Sequence, residues 1–308
     1  MHIDIGIAIA GLIVGVVVGL TGMGGGALMT PILVIGFGIE PLAAVSSDLV
    51  AAVVMKPIGG GIHFRRGTVH TGLVKWLALG SVPGALLGSY VVSHLGDDVG
   101  DTIKTVLGVV LLIAAGAMVV RGYLSRHRGP GVEGDAARRV PVRRAATLTI
   151  GLLGGTIVGM TSVGSGSLMI VALMLLYPTL SSKELVGTDL VQAVPLVLAA
   201  AIGHLIWGNF EFGLTSSLLI GSVPGVIIGA HVSSRAPDAI IRPILVLVLA
   251  LSALKLLDVP NDVLGAILLG AIVAALTTWF VKRRRARVLA DARPAAQVAS
   301  GSPGSTPG

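Results

Sequence analysis

Two short glycine-rich motifs hold the residues best suited to chemistry. Thr21-Gly22-Met23-Gly24-Gly25-Gly26 is matched by Thr161-Ser162-Val163-Gly164-Ser165-Gly166-Ser167. A glycine run destabilises a helix by about 1 kcal/mol per residue relative to alanine. Such a run is tolerated at membrane depth where the backbone breaks against protein or a cavity. A broken helix turns backbone N–H groups towards whatever lies in the gap, and glycine lets a ligand approach closely. Together these properties suit an anion, and Ser162, Ser165 and Ser167 add hydroxyl donors. The competing explanation is close helix packing through small residues. A dinucleotide fold would need a strand before Gly22-Met-Gly24-Gly-Gly26, and a phosphate loop would need Gly-Lys-Ser/Thr; neither context is present.

Four further sets of residues could move or hold charge. Asp48 and Asp189 each lie near the start of an apolar run, where an acid caps helix N–H groups or carries a proton or sodium ion. Ser47 and Thr188 precede them and fit either role. Lys56 is a lone cation followed by Pro57 in an apolar stretch. A charge at that depth costs at least about 2.5–3.5 kcal/mol, so it either faces a cavity and attracts an anion or snorkels to the surface. His63 and His204 recur near helix ends, as interfacial hydrogen-bonders or as proton carriers. Pro83 and Pro224 are candidate hinges, each flanked by glycine.

The elements that must position these residues follow from composition. Hydrophobic residues form 54% of the chain and charged residues 12%, against about 25% in a soluble domain. The mean hydropathy is +0.93, and the charges cluster between apolar stretches near the ~20 residues that span a bilayer. The sequence therefore predicts an all-α, polytopic transmembrane bundle. No cysteine is present, which excludes disulfides and thiolate metal sites. The seven His lack metal-ligand spacing, so neither a metal nor a cofactor is expected. A pI near 10.2 could suggest nucleic acid, but the basic residues flank apolar spans and set membrane orientation instead. The chain offers no nucleophile–base pair, so an enzyme is not expected. The start Met1-His2-Ile3-Asp4 lacks the basic region of a signal peptide.

The chain also repeats itself. Beyond the glycine motifs, Asp48-Leu49-Val50 returns as Asp189-Leu190-Val191, and Gly80-Ser81-Val82-Pro83-Gly84 returns unchanged from Gly221 to Gly225. We expect a first repeat over 5–122, a linker over 123–145 and a second repeat over 146–257. An extra span over 258–281 and a basic, disordered tail over 282–308 complete the chain. Spans are expected near 42–61, 71–92 and 103–121, with partners near 184–205, 213–233 and 239–257. Each repeat opens with a longer apolar stretch, 5–38 or 146–178, expected to form a hairpin of two short helices. With the linker in the cytoplasm, Arg65, Arg66, Lys183, Arg235, Arg242 and the Lys282–Arg285 tail also fall inside. Glu40, Asp97, Asp98, Asp101, Glu211, Asp258 and Asp262 fall outside, with Lys104 and Lys255. Equivalent spans then run in opposite directions, which is an inverted-topology repeat of the kind found in secondary transporters.

One series of residues resembles a known family. The early glycine motif is followed by Ser47-Asp48-Leu49, by Gly61-Ile62-His63-Phe64-Arg65-Arg66-Gly67-Thr68-Val69, and by Gly80-Ser81-Val82-Pro83-Gly84 with Gly88. This order resembles the TauE/SafE, or sulfite exporter, family over residues 5–257. The second half is looser: Gly203-His204-Leu205-Ile206-Trp207-Gly208 keeps His and Gly but lacks the Arg pair. The resemblance implies transport of a small inorganic or organic anion across the bilayer, chiefly sulfite or an organosulfonate. A non-transporting membrane scaffold is the alternative, with the linker as its one candidate contact region.

Overall fold

In the computed structural model, apolar runs become helices and the glycine motifs become the gaps between them. The structure describes residues 4–21, 25–94, 99–127, 129, 131–208, 210–232, 238–271, 273 and 277. All of the tail and most of the extra span's second half therefore lie outside the described residues. Helix α1 spans Ile5–Thr21; α2 spans Gly26–Pro31 and continues as a π-helical turn to Gly36. Then come α3 (Pro41–Arg65), α4 (Thr71–Ser93) and α5 (Val99–His127). A short α6 (Gly134–Arg138) lies in the linker. The second repeat holds α7 (Arg144–Thr161), α8 (Leu168–Leu176), α9 (Ser182–Trp207), α10 (Phe212–Val232) and α11 (Asp238–Leu256). Residues 1–259 form one unit, and 260–308, containing α12 (Asn261–Ala271), form another. Among the described residues, α3, α4, α5, α9 and α10 are each long and apolar enough to cross a bilayer.

Both opening stretches are hairpins. At the foot of the second, Arg143 N–H donates to the Tyr177 hydroxyl at 2.9 Å, and Tyr177 Oη lies 2.5 Å from Thr147 Oγ1. The end of α8 thus returns to the start of α7. In the first, a Cβ built on Gly6 would lie 3.1 Å from the Phe37 ring, so α1 and the end of the π turn also meet. The second arm of the later hairpin could not cross alone: nine residues of α8 rise only about 14 Å.

Direction is settled by contacts between α3 and α9, equivalent helices of the two repeats. Ser46 bonds His204 at 2.8 Å, Gly60 backs onto the Leu190 carbonyl, and Gly187 backs onto His63. Numbers rise along one helix as they fall along the other, so the pair is antiparallel. Helices α4 and α9 instead run parallel, linked by Ser81 to Gln192 and by Ser89 to the Ala200 carbonyl. Equivalent helices in opposite directions make the repeat inverted.

Close backbone approach holds the halves together. Gly80, Gly84 and Gly88 form a stripe at four-residue spacing on α4, facing Gly151, Gly155 and Gly159 on α7. The same stripe on α10, Gly221, Gly225 and Gly229, faces α1. A Cβ at any of these positions would overlap backbone of the opposite helix. Lipid tails are as apolar as leucine, so association within the bilayer relies on such packing. Gly84→Leu is therefore expected to lower stability by about 3 kcal/mol or more, seen as a lower melting temperature in detergent. Gly116→Leu, with nothing within 4 Å of its Cβ position, should change little; equal melting for both would refute the assignment. Pro83 and Pro224 stand exposed on the opposite face, and α4 and α10 continue through them.

The molecule buries polar groups and exposes apolar ones. Ile113, Leu153, Ile206 and Phe212 are exposed, while Asp48, Lys56, Glu184, Asp189 and Gln192 are buried. Helix α5 runs on to His127, so Arg121 lies inside it rather than at the start of a solvated loop. The linker beyond is docked: Val132 N–H donates to the Thr179 carbonyl at 2.9 Å, and Gly134 N–H to Glu184 Oε1 at 2.9 Å.

Candidate functional site

The two breaks meet in the middle of the bundle. A Cβ on Gly26, the first residue of α2, would overlap the Ser162 carbonyl and lie 2.6 Å from Ser162 Oγ. Ser162 ends α7 in the left-handed conformation (φ 59°), and Gly164 and Gly166 follow at φ 125° and 90°. Three positive φ values within five residues turn the chain sharply enough to start α8. Glycine makes two of these nearly free of strain, whereas serine at the third does not. Gly22 and Gly24 of the first break lie outside the described residues; Gly25 sits beside Asp48, with its Cβ position 3.6 Å from Asp48 Oδ1.

Ionisable groups from both repeats surround this junction. Asp48 is the eighth residue of α3 and Asp189 the eighth of α9. Both lie about two turns inside their helices, too deep to cap their own N-termini. Asp48 Oδ2 accepts from Ser162 Oγ at 2.6 Å and from Thr30 Oγ1 at 3.3 Å, while Oδ1 is buried without a partner. Lys56, two turns further along α3, is buried and donates to Ser165 Oγ of the second break. It does not snorkel. Asp189 accepts from Gln192 Nε2 at 3.2 Å and from the Gly166 backbone, and lies in the field of Lys56 and Arg121. Arg121 Nη1 donates to the Gly166 carbonyl at 3.0 Å.

Other expected residues take quieter places. Thr21 Oγ1 and Thr161 Oγ1 each donate to the carbonyl four residues back, at 2.7 Å, closing the last turns of α1 and α7. His204 is fully buried between Ser46 Oγ (2.8 Å) and the Gly159 carbonyl (2.7 Å), a link among α3, α7 and α9. Its counterpart His63 is half-buried and bonds Thr68 Oγ1 at 3.0 Å. Ser167 and Ser165 line a cavity of ≈ 10 Å³ with Thr21, Leu28, Met118 and Leu249. That is about the least a single water needs, so in this conformation the breaks are closed on each other. Thr30, Gln192 and Arg121 belong to the site but were not singled out from sequence. Gln192 had a readable signal, an amide three residues after Asp189 in an apolar run.

This constellation can hold an anion: Lys56 brings a desolvated positive charge, and Ser165, which accepts from it, keeps its own proton for an incoming oxygen. The sequence profile of the family described as "Sulfite exporter TauE/SafE" matches residues 7–256, which takes in both breaks and every ionisable group named above. The chain belongs to this family. It is 39% identical over 261 residues to the probable membrane transporter protein YjnA of Bacillus subtilis, covering 82% of this chain and 100% of that relative. The probable membrane transporter proteins YtnM and YdhB of the same organism are 28% and 24% identical. These alignments cover 72% of both chains for YtnM, and 80% of this chain and 96% of the relative for YdhB. No solved structure matches the chain. The protein is accordingly a membrane transporter, built as an integral helical bundle.

Proposed function

We propose that the protein is a secondary transporter, a permease rather than an enzyme, for a small sulfur-containing anion such as sulfite or an organosulfonate. The anion binds between the two breaks against Lys56, Ser165 and Ser167, and the repeats rock about Pro83 and Pro224 to alternate access. One observation carries the reading: a lysine buried at membrane depth in the first repeat is bonded to a serine in the break of the second. Desolvating an ammonium there is expensive, and an anion shared by both halves would offset that cost in each facing state. The family description and the relatives' names support transport, and the hydroxyl donors favour an oxyanion.

Binding of sulfite, methanesulfonate and sulfate to the purified protein, followed by calorimetry, tests the substrate class. Saturable binding of one or more is expected; binding of none would sink the anion reading. The reading sets the protein in the inner (plasma) membrane with linker and C-terminus in the cytoplasm, an orientation that the distribution of Lys and Arg supports. With no native cysteine to interfere, Glu40→Cys is expected to react with an impermeant maleimide from outside intact cells. Labelling only after lysis would reverse the topology.

A further inference from the structure

The duplication supplies two aspartates at equivalent positions, but their surroundings have diverged. Asp189 is engaged by several partners: it accepts from Gln192 and from the Gly166 backbone, with Lys56 and Arg121 nearby. Gln192 is itself fixed, accepting from Ser81 Oγ at 3.2 Å and reaching Met169 Sδ at 2.8 Å. Asp48 differs. Among the described residues both of its hydrogen bonds fall on Oδ2, and Oδ1, facing Gly25 of the first break, has none. A bare carboxylate oxygen is costly at this depth. A carboxylic acid suits the arrangement better, with Oδ2 as the carbonyl accepting two hydroxyls and the proton on Oδ1.

We propose that Asp48 is a proton-binding site coupled to anion binding at Lys56, while Asp189 is a permanent countercharge. This rests on the anion reading above. Lys56 on its own helix acts on Asp48, and the helices packed against α3 carry Asp189 and His204 on α9 and Arg121 on α5. Helices α1 and α2 and the π turn carry no titratable side chain, and α10 carries only His231 at its exposed end. With both aspartates ionised, the charges of Asp48, Asp189, Lys56 and Arg121 cancel. One proton moving from water to Asp48 Oδ1 leaves a single net positive charge, which one monovalent anion cancels. The fully loaded site is neutral, the state that crosses hydrocarbon at least cost. The bond from Ser162 to Asp48, which ties the second break to α3, is charge-assisted only while Asp48 is ionised, so protonation weakens it. The proton thus acts on the joint that must open.

Methanesulfonate is the probe, because its charge does not change with pH. Calorimetry of wild-type protein in alkaline buffers of differing ionisation enthalpy, where free Asp48 has lost its proton, should show uptake of one proton per anion bound. Affinity should then change about tenfold per pH unit on the alkaline side, by linkage. Asp48→Asn should bind with no proton uptake and with pH-independent affinity; Asp189→Asn, which leaves Asp48 in place, should bind at least as tightly and keep the proton uptake. Anion binding without proton uptake, proton uptake that survives Asp48→Asn, or replacement of the pH effect by dependence on sodium would each overturn the proposal. Infrared difference spectra of ligand-free protein between alkaline and acidic buffer separate this from failure of the anion reading. A protonated-carboxyl band lost in Asp48→Asn and kept in Asp189→Asn is expected even where no tested anion binds. Its persistence in Asp48→Asn would refute the assignment.

Discussion

Lys56→Met is expected to weaken anion binding about 10- to 100-fold, with the protein still inserted and folded. The magnitude follows from the loss of a hydrogen bond to a charged group, about 1.5–3 kcal/mol, at 1.4 kcal/mol per decade of affinity. Methionine keeps the length and most of the apolar stem, and Val197 at the equivalent position of the second repeat shows that the fold accepts an apolar side chain there. The bond to Ser165 disappears with the ammonium, and Asp189 keeps Gln192, the Gly166 backbone and Arg121 as partners. Lys56→Arg retains the charge and should recover part of the affinity, limited by fitting a guanidinium beside the second break. Titration of sulfite and methanesulfonate into the three proteins is the measurement. Equal affinities for wild type and Lys56→Met would remove Lys56 from the site.

Much of this arrangement was legible in the sequence, and for physical reasons. Hydrocarbon forces backbone groups into helices, so apolar runs and their charged ends read directly as spans. Duplication fixed the order of elements, and the distribution of Lys and Arg implied opposite orientations; the antiparallel Ser46–His204 and Gly60–Leu190 contacts bear out that inversion. The hairpins were legible too, because a glycine run in an apolar stretch has few other physical excuses. Less legible was what each polar side chain does. Ser162 looked like an anion donor, yet its hydroxyl is committed to Asp48. Asp48 and Asp189 looked like caps because they stand near the starts of apolar runs; Pro41 and Ser182 start the helices a full two turns earlier. Arg121 stands at the end of the span expected near 103–121, whereas its helix runs to His127 and its guanidinium turns back to Gly166. Such pairings depend on which faces meet, and an inverted repeat brings together residues more than a hundred positions apart.

The second large effect concerns the contact between the breaks. Gly26→Leu is expected to reduce transport roughly 100-fold while leaving membrane insertion intact. A Cβ at Gly26 overlaps the Ser162 carbonyl, and that neighbour is backbone rather than a flexible side chain. Overpacking costs about 1–3 kcal/mol where side chains can give way; here the joint itself must separate, so the upper end applies, and 1.36 kcal/mol is tenfold in rate. Gly164→Val attacks the same joint by another route, since φ 125° strains a β-branched residue by about 1–3 kcal/mol, and it too should slow transport. Gly61→Leu, on an open face of α3 with nothing within 4 Å, is the matched control for added bulk. The readout is flux of labelled sulfite in proteoliposomes, normalised to inserted protein. Flux near wild type in Gly26→Leu would mean that the breaks need not close on each other during the cycle. Loss in all three variants would trace the effect to bulk in the bilayer, whereas loss confined to Gly26 and Gly164 locates the moving part where the two inverted repeats touch.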